Sequence, residues 1–480
     1  MNTPQQDSVK NYDGNSLVVK AGAGTGKTYT LVQYALANPN QNMLFLAYNK
    51  PIRDDAAKKF PMNVECRTTH SLAFAQFGRD LMDKLSSGIR LTHIKNLCGC
   101  GWGEVPMIKT AFEKFLCSKD TQVNKTHIPE SVDEKRVGQM IKYTTMLWNE
   151  TTNVDSDFPS THDVYLKLYH LSRPRLDLKY DVILFDECQD ANDLQADIVL
   201  AQKCAKVFVG DDHQQIYRWR YANNAMKKLI DNGADVMYLT KSFRFGSNIA
   251  DLANKILMYK HHTVNAELMQ LEGNGTTYEP NEYDEVALDI KRTIIHRTVY
   301  GTIETAIRAG GKVHWIGGIQ SYNIQDLLDV FYLSKGENYK IKNKQKLAEY
   351  KTYQIYLEVA ELTKDHEMKR AIRLIRDYHN IDELVGALTS QSTDAVKADT
   401  IITTAHRSKG LEFDYITIAD DFIDISGERE LNKDGTPKLS DEYIADELNL
   451  MYVAVTRAKL SVSMSNTSAI NRVLIESREF

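Results

Sequence analysis

The stretch Ala21-Gly22-Ala23-Gly24-Thr25-Gly26-Lys27-Thr28 sets three glycines ahead of an amine and a hydroxyl. Ser16-Leu17-Val18-Val19 precedes it and Tyr29-Thr30-Leu31-Val32-Gln33-Tyr34-Ala35-Leu36 follows, so it reads as strand, glycine loop and helix, the context of a phosphate-binding P-loop. Glycines 22, 24 and 26 let backbone N–H groups converge with no Cβ in the way, and the helix adds the positive end of its dipole. Ala23, Gly24, Thr25 and Gly26 would cradle phosphate, Lys27 would reach the β- and γ-phosphates, and the Thr28 hydroxyl is placed for Mg²⁺. The pattern starts on Ala21 rather than glycine, but Gly22 is adjacent. Farther on, Asp181-Val182-Ile183-Leu184-Phe185 runs into Asp186 and Glu187. Two carboxylates at a strand end suit a hydrolase, with Asp186 serving the metal and Glu187 acting as general base toward water. An acidic strand cap is the bland alternative. A third strand, Val207-Phe208-Val209-Gly210, opens into Asp211-Asp212-His213-Gln214, where a glutamine can sense a γ-phosphate. Tyr217 and Trp219, interleaved with Arg218 and Arg220, have the composition of a base-stacking surface, worth roughly 1–3 kcal/mol per stacked base. They also suit an ordinary core.

Positioning these groups requires strands whose carboxyl ends lie side by side. Short apolar runs at 16–20, 43–47, 182–185, 207–210 and 236–239 alternate with helical stretches, which predicts a parallel sheet wrapped by helices. A second set follows at 293–296, 399–404, 415–418 and 460–464. The block 75–175 is helical in character, with Trp102 and Trp148 as anchors of a small core. The fold class expected is α/β, two parallel-sheet domains in tandem, each carrying an inserted, mainly helical subdomain. The boundaries are 1–74 and 176–240 for the first domain, 75–175 for its insertion, 241–309 and 399–480 for the second domain, and 310–398 for a short second insertion. The basic run Tyr339 to Lys346 reads as a solvated helix face or a nucleic-acid contact, and Gly427 to Asp441 as a surface loop.

The 480 residues exceed one core, and 42% hydrophobic with 26% charged residues is the composition of a soluble globular protein. A net charge of -5 excludes a global basic field, so any nucleic-acid site must be a local groove. Six cysteines lack disulfide-scaffold spacing, and Cys98-Gly99-Cys100 with Cys117 has no second pair at zinc spacing. No secretory signal and no bilayer-length apolar run are present in the sequence. The expected location is intracellular, cytoplasmic or nucleoid-associated, or nuclear in a eukaryote, with no membrane partner.

In order, the motifs resemble those of superfamily 1 helicases of the UvrD/Rep type. They are the P-loop, Leu46-Ala47-Tyr48-Asn49-Lys50, Cys66-Arg67-Thr68-Thr69-His70-Ser71, Asp186-Glu187-Cys188-Gln189-Asp190 and Gly210-Asp211-Asp212-His213-Gln214. Lys241-Ser242-Phe243-Arg244, Thr404-Ala405-His406-Arg407-Ser408-Lys409-Gly410-Leu411-Glu412-Phe413 and Met451-Tyr452-Val453-Ala454-Val455-Thr456-Arg457-Ala458 complete the set. The wording is most similar to the helicase part of the F-box DNA helicases and their viral or bacterial relatives. The resemblance covers about Gln5 to Lys459 and anticipates neither an F-box-like segment nor a nuclease domain within this sequence. It implies two RecA-like domains with ATP and Mg²⁺ held in the cleft between them. Gln5 would read adenine, Phe243 stack on it, Glu412 take the ribose and Gln214 sense the γ-phosphate. Arg244 and Arg457 would reach the transferring phosphoryl. For the DNA track it implies Tyr48, Asn49, Thr69, His70, Tyr217, Trp219 and His406. His213 and Gln215 depart from the usual wording, and the second insertion is shorter than is common in this family.

What the resemblance implies is an ATP-dependent DNA helicase that translocates on single strands, 3′→5′, and unwinds duplex in repair, recombination or replication. Its partners would be single-stranded DNA and single-strand/duplex junctions, with replication or recombination proteins as candidates. A translocase that strips proteins from DNA shares every motif. A nucleotide-gated loading module is a rival of another class, disfavoured by the two arginines and the aromatics.

Overall fold

A computed structural model describes residues 2–218, 221–222, 225–273, 291–343, 346–347, 350–363, 366–427 and 439–479. The chain divides into two units, Met1–Ala21 with Gly26–Leu239, and Gly22–Thr25 with Thr240–Phe480.

The first unit is built on six parallel strands: β1 (Ser16–Ala21), β2 (Met43–Ala47), β3 (Val64–Thr68), β4 (Val182–Phe185), β5 (Ala205–Gly210) and β6 (Asp235–Leu239). Their spatial order is β3-β2-β4-β5-β1-β6. The central strands β2 and β4 are buried at every position, which is why they read as continuous apolar runs. Alternate residues of the sheet (Leu17, Val19, Phe45, Leu184, Val207, Val209) pack on Leu31, Tyr34 and Ala35 of the helix Lys27–Ala37. On the other face Phe185 and Phe208 meet edge to face at 5.3 Å. The order places β1, β4 and β5 side by side, so three loops far apart in sequence leave one edge of the sheet together.

Within 75–175 the chain forms the helices Leu91–Cys98, Val105–Cys117, Glu134–Thr152 and His162–Leu171. Trp148 meets Phe115 edge-on at 5.3 Å, while Trp102 is half-buried with the Lys95 ammonium 5.6 Å from its ring centre.

The second unit has five parallel strands, β9 (Thr293–His296), β10 (Val313–Trp315), β11 (Thr400–Thr404), β12 (Phe413–Ile418) and β13 (Ala458–Met464), in the order β10-β11-β9-β12-β13. A separate two-stranded pair joins β7 (Lys241–Ser242) and β8 (Glu272–Gly273). The strand β10 lies inside the segment 310–398 that the sequence sets apart as an insertion, yet it pairs with β11 from Val313 to Trp315. That boundary is therefore corrected: the departure from the sheet comes after Trp315, because three residues are too few to show a strand period. The helices Ile324–Lys335, Tyr353–Thr363, His366–Asp377 and Ile381–Gln391 follow. In the basic run, Lys340 pairs with Glu337 at 2.6 Å and Lys346 with Asp326 at 3.5 Å, so part of its charge is neutralised; Lys344 and Gln345 lie outside the described residues. Residues 428–438 of the expected surface loop also lie outside them.

Candidate functional site

Strand β1 ends at Ala21, and the helix that starts on Lys27 is entered through Gly26 at φ 80°, with Gly24 at φ 75°. Both are left-handed conformations that favour glycine, so the loop turns where the sequence supplies it. The Thr25 hydroxyl donates to Gly22 O at 2.9 Å and holds the loop in shape. Lys27 Nζ lies 3.5 Å from Ala21 O and 4.0 Å from the Glu187 carboxylate. The Thr28 hydroxyl donates to Asp186 Oδ2 at 3.1 Å. Lys27, Thr28, Asp186 and Glu187 are thus gathered at the ends of β1 and β4.

Asp186 is buried, and burial, followed by the neighbouring Glu187 charge, pushes its carboxyl up to about 7 against the pull of Lys27 and Thr28. A buried carboxylate beside a hydroxyl oxygen is a position that a divalent cation would stabilise. Mg²⁺ suits it, because that ion takes few protein ligands and completes its shell with water and phosphate. Among the described residues no group of three or more His, Cys, Asp or Glu could form an all-protein metal cage. Cys98 and Cys100 are buried thiols whose pKa burial raises, which fits packing rather than metal binding.

Glu187 sits at φ 50°, a left-handed backbone that costs a non-glycine residue about 1–3 kcal/mol. Its N–H donates to Asp186 Oδ1 at 2.9 Å. Its Oε2 accepts from Gln189 Nε2 at 2.5 Å, while Gln189 Oε1 accepts from Asp211 N at 3.1 Å. Gln189 is fully buried and ties the general-base candidate to the end of β5. Asp211, also buried, accepts from Gln214 Nε2 at 2.7 Å and from His213 N at 3.0 Å, which fixes the proposed sensor glutamine. Neither Gln189 nor Asp211 receives a role from the sequence. The contact joining them crosses 22 positions, and its only local sign is polar residues just past two apolar strands.

The nucleic-acid candidates of the first unit leave the same edge of the sheet. Tyr48, after β2, and Tyr217, after β5, are half-buried and stack with centroids 5.7 Å apart and planes 10° from parallel. Asn49 is exposed, but its Oδ1 caps the helix Lys50–Ala57 by accepting from Ile52 N at 3.0 Å. Thr69 is buried and its hydroxyl accepts from Gln195 Nε2 at 2.9 Å, so it braces the end of β3. His70 is half-buried, 3.2 Å from Asp163 Oδ1. Trp219 and Arg220 lie outside the described residues. Gln5 is half-buried on the helix Pro4–Lys10, where its neighbour Gln6 completes a capping box with Thr3.

In the second unit Phe243 is 44% exposed, available to an aromatic ligand. Arg244 donates to Glu412 at 3.1 Å and to Thr456 O at 3.0 Å, bringing two of the expected nucleotide residues together. Arg457 is placed inward: it is 1% exposed, with Nε donating to Val453 O at 2.9 Å and its terminal nitrogens to Leu411 O and the Thr456 hydroxyl. The carbonyls ending the helix Asp441–Val455 attract a cation there. His406 is half-buried on the short helix Ala405–Ser408.

Two family models match the chain: the UvrD/REP helicase N-terminal domain over residues 107–233 and the UvrD-like helicase C-terminal domain over residues 387–469. The chain is similar to F-box DNA helicase 1 of Gallus gallus, 31% identical over 97% of this chain and 49% of that protein. It is similar to F-box DNA helicase protein 1 of Schizosaccharomyces pombe, 29% identical over 95% of this chain and 56% of that protein. To DNA helicase II of Escherichia coli it is 32% identical over 27% of this chain and 19% of that protein. The chain spans about half the length of the first two relatives.

Proposed function

We propose, from the premise that this chain belongs to the UvrD/Rep-type helicases and carries the N- and C-terminal domains of that family, that it hydrolyses ATP to move along single-stranded DNA and separate duplex. The observation that carries the reading is the single edge of the first sheet. Lys27, Thr28, Asp186, Glu187 and Gln214 stand there beside the stacked pair Tyr48 and Tyr217. Lys27 would hold the β- and γ-phosphates, while Thr28 and Asp186 would hold Mg²⁺. The ion, when bound, neutralises charge on the phosphates. Glu187, oriented by Gln189, accepts the proton of the attacking water. Gln214, braced by Asp211, reports on the γ-phosphate. Arg244 and Arg457 stabilise charge on the transferring phosphoryl, which for Arg457 requires leaving the carbonyls of Val453 and Leu411. Aromatic faces with short polar neighbours suit sequence-tolerant binding of a single strand. Movement would be 3′→5′, the substrate a single-strand/duplex junction inside the cell.

Hydrolysis is expected to rise with added single-stranded DNA, and Glu187→Gln to lower kcat about 10²–10⁴-fold. Hydrolysis indifferent to DNA would end the motor reading, and a near-wild-type Glu187→Gln would end the site assignment. Duplexes with a 3′ tail, a 5′ tail or none then test direction, and failure on all three would favour a translocase that displaces proteins.

A further inference from the structure

The first unit holds a cavity of about 730 Å³ between the end of the helix Val105–Cys117 and the segment after Gln214. Lys114, Lys119 and Arg218 line it, with Asp120 and Asp193 as the lining carboxylates. Asp193 is ion-paired to Lys228, and Asp120 accepts from Asn124 at 2.9 Å and lies 3.1 Å from His127. The lining side chains thus carry three cations and two carboxylates, in a chain of net charge -5. The cavity volume falls in the range of small-ligand sites.

Two features give this cavity a built wall. The Lys167 side chain, fully buried, donates to Ser118 O at 2.7 Å and Asp120 O at 2.6 Å, with its ammonium 4.4 Å from the Phe115 ring centre. A buried cation thus ties down the loop 118–120 and takes up two of its carbonyls, which would repel an anion. Tyr221, also in the lining, is held at φ 60°, an uncommon backbone for an aromatic residue, and its N–H donates to Arg218 O at 2.8 Å. Arg218 and Tyr221, joined by this hydrogen bond, both belong to the lining. Arg218 directly follows Tyr217, the ring stacked on Tyr48.

We propose that this cavity is a nucleotide subsite in which Lys114, Lys119 and Arg218 take a phosphate and Tyr221 takes the face of a base. The occupant is either one unit of a bound strand or a free mononucleotide. In the strand form the assignment rests on the DNA-binding reading above; in the free form it does not.

The test uses the full chain, the double variant Lys114→Ala/Lys119→Ala, and a control of equal charge change outside the cavity, Lys109→Ala/Lys135→Ala. Oligo-dT binding is followed by fluorescence anisotropy across a salt series, and dTMP binding by calorimetry. For the strand form the cavity variant binds oligo-dT about ten-fold more weakly, its salt slope falls by about 0.7 per lost contact, and the control is unchanged. A 5-iodouracil oligonucleotide crosslinks to Tyr221 in the unmodified chain, a readout independent of the variants. For the free form only dTMP binding is lost. Unchanged binding of both probes in the cavity variant, or equal losses in the control, overturns the proposal. If the unmodified chain binds no oligo-dT, the motor reading fails, and the dTMP arm alone decides the subsite.

Discussion

Asp186 shows how the chemistry asks for a residue that folding penalises. Burial and Glu187 hold its carboxyl up to about 7, above its ordinary value of 3.8, so below about pH 7 the folded, metal-free chain prefers it protonated. A raised carboxyl contributes nothing below its unfolded pKa and a growing penalty as pH climbs from there through the folded one. Asp186→Asn is therefore expected to abolish hydrolysis and yet raise the melting temperature of the metal-free chain by a few degrees, more at pH 8 than at pH 5. Thermal unfolding at the two pH values checks this; equal or lower stability at pH 8 would show that Lys27 and Thr28 already compensate the charge. The residues with this local signature, glycines before Lys27 and carboxylates after an apolar run, were legible in the sequence. Gln189 was not, since its use depends on Asp211 being adjacent in space.

At the scale of elements, legibility followed apolar composition, which burial explains for most strands but not for β6, an edge strand buried only at Leu239 and still read at 236–239. Strands β1, β2, β4 and β5 are covered on both faces and announce themselves as apolar runs. Strand β3 is an edge strand with half-buried Val64, Glu65, Cys66 and Arg67, and that mixed composition carries no strand signal. Likewise Asn49 and Thr69 have the types of strand-binding residues, but a cap and a brace occupy their side chains, which only the neighbouring elements reveal. The packing of β5 on the loop after β4 yields a further prediction. A Cβ on Gly210 would lie 2.3 Å from Gln189 Oε1, with Cys188 Sγ at 3.2 Å. Gly210→Ala should displace Gln189 and with it the orientation of Glu187, lowering kcat about ten-fold or more with a smaller change in KM for ATP. Steady-state kinetics checks it, and a change confined to KM would assign Gly210 to nucleotide binding instead.

For the whole molecule, each unit has its own sheet and its own buried cluster. Calorimetric unfolding should therefore exceed the van't Hoff enthalpy, as for independently cooperative units, whereas a ratio of one would mean a single cooperative block. The strand order has a further consequence in time. β1 pairs only with β5 and β6, whose residues begin at Ala205 and Asp235, while β2 and β3 find each other early. At about 5–20 residues per second, the strand that carries the phosphate loop leaves the ribosome roughly 10–40 s before either neighbour exists. Through that interval it is an apolar segment with open edges. A chain broken off before residue 205 would own the complete glycine loop but lack both strands that flank the one carrying it, so the most legible motif in the sequence is among the last features to become functional.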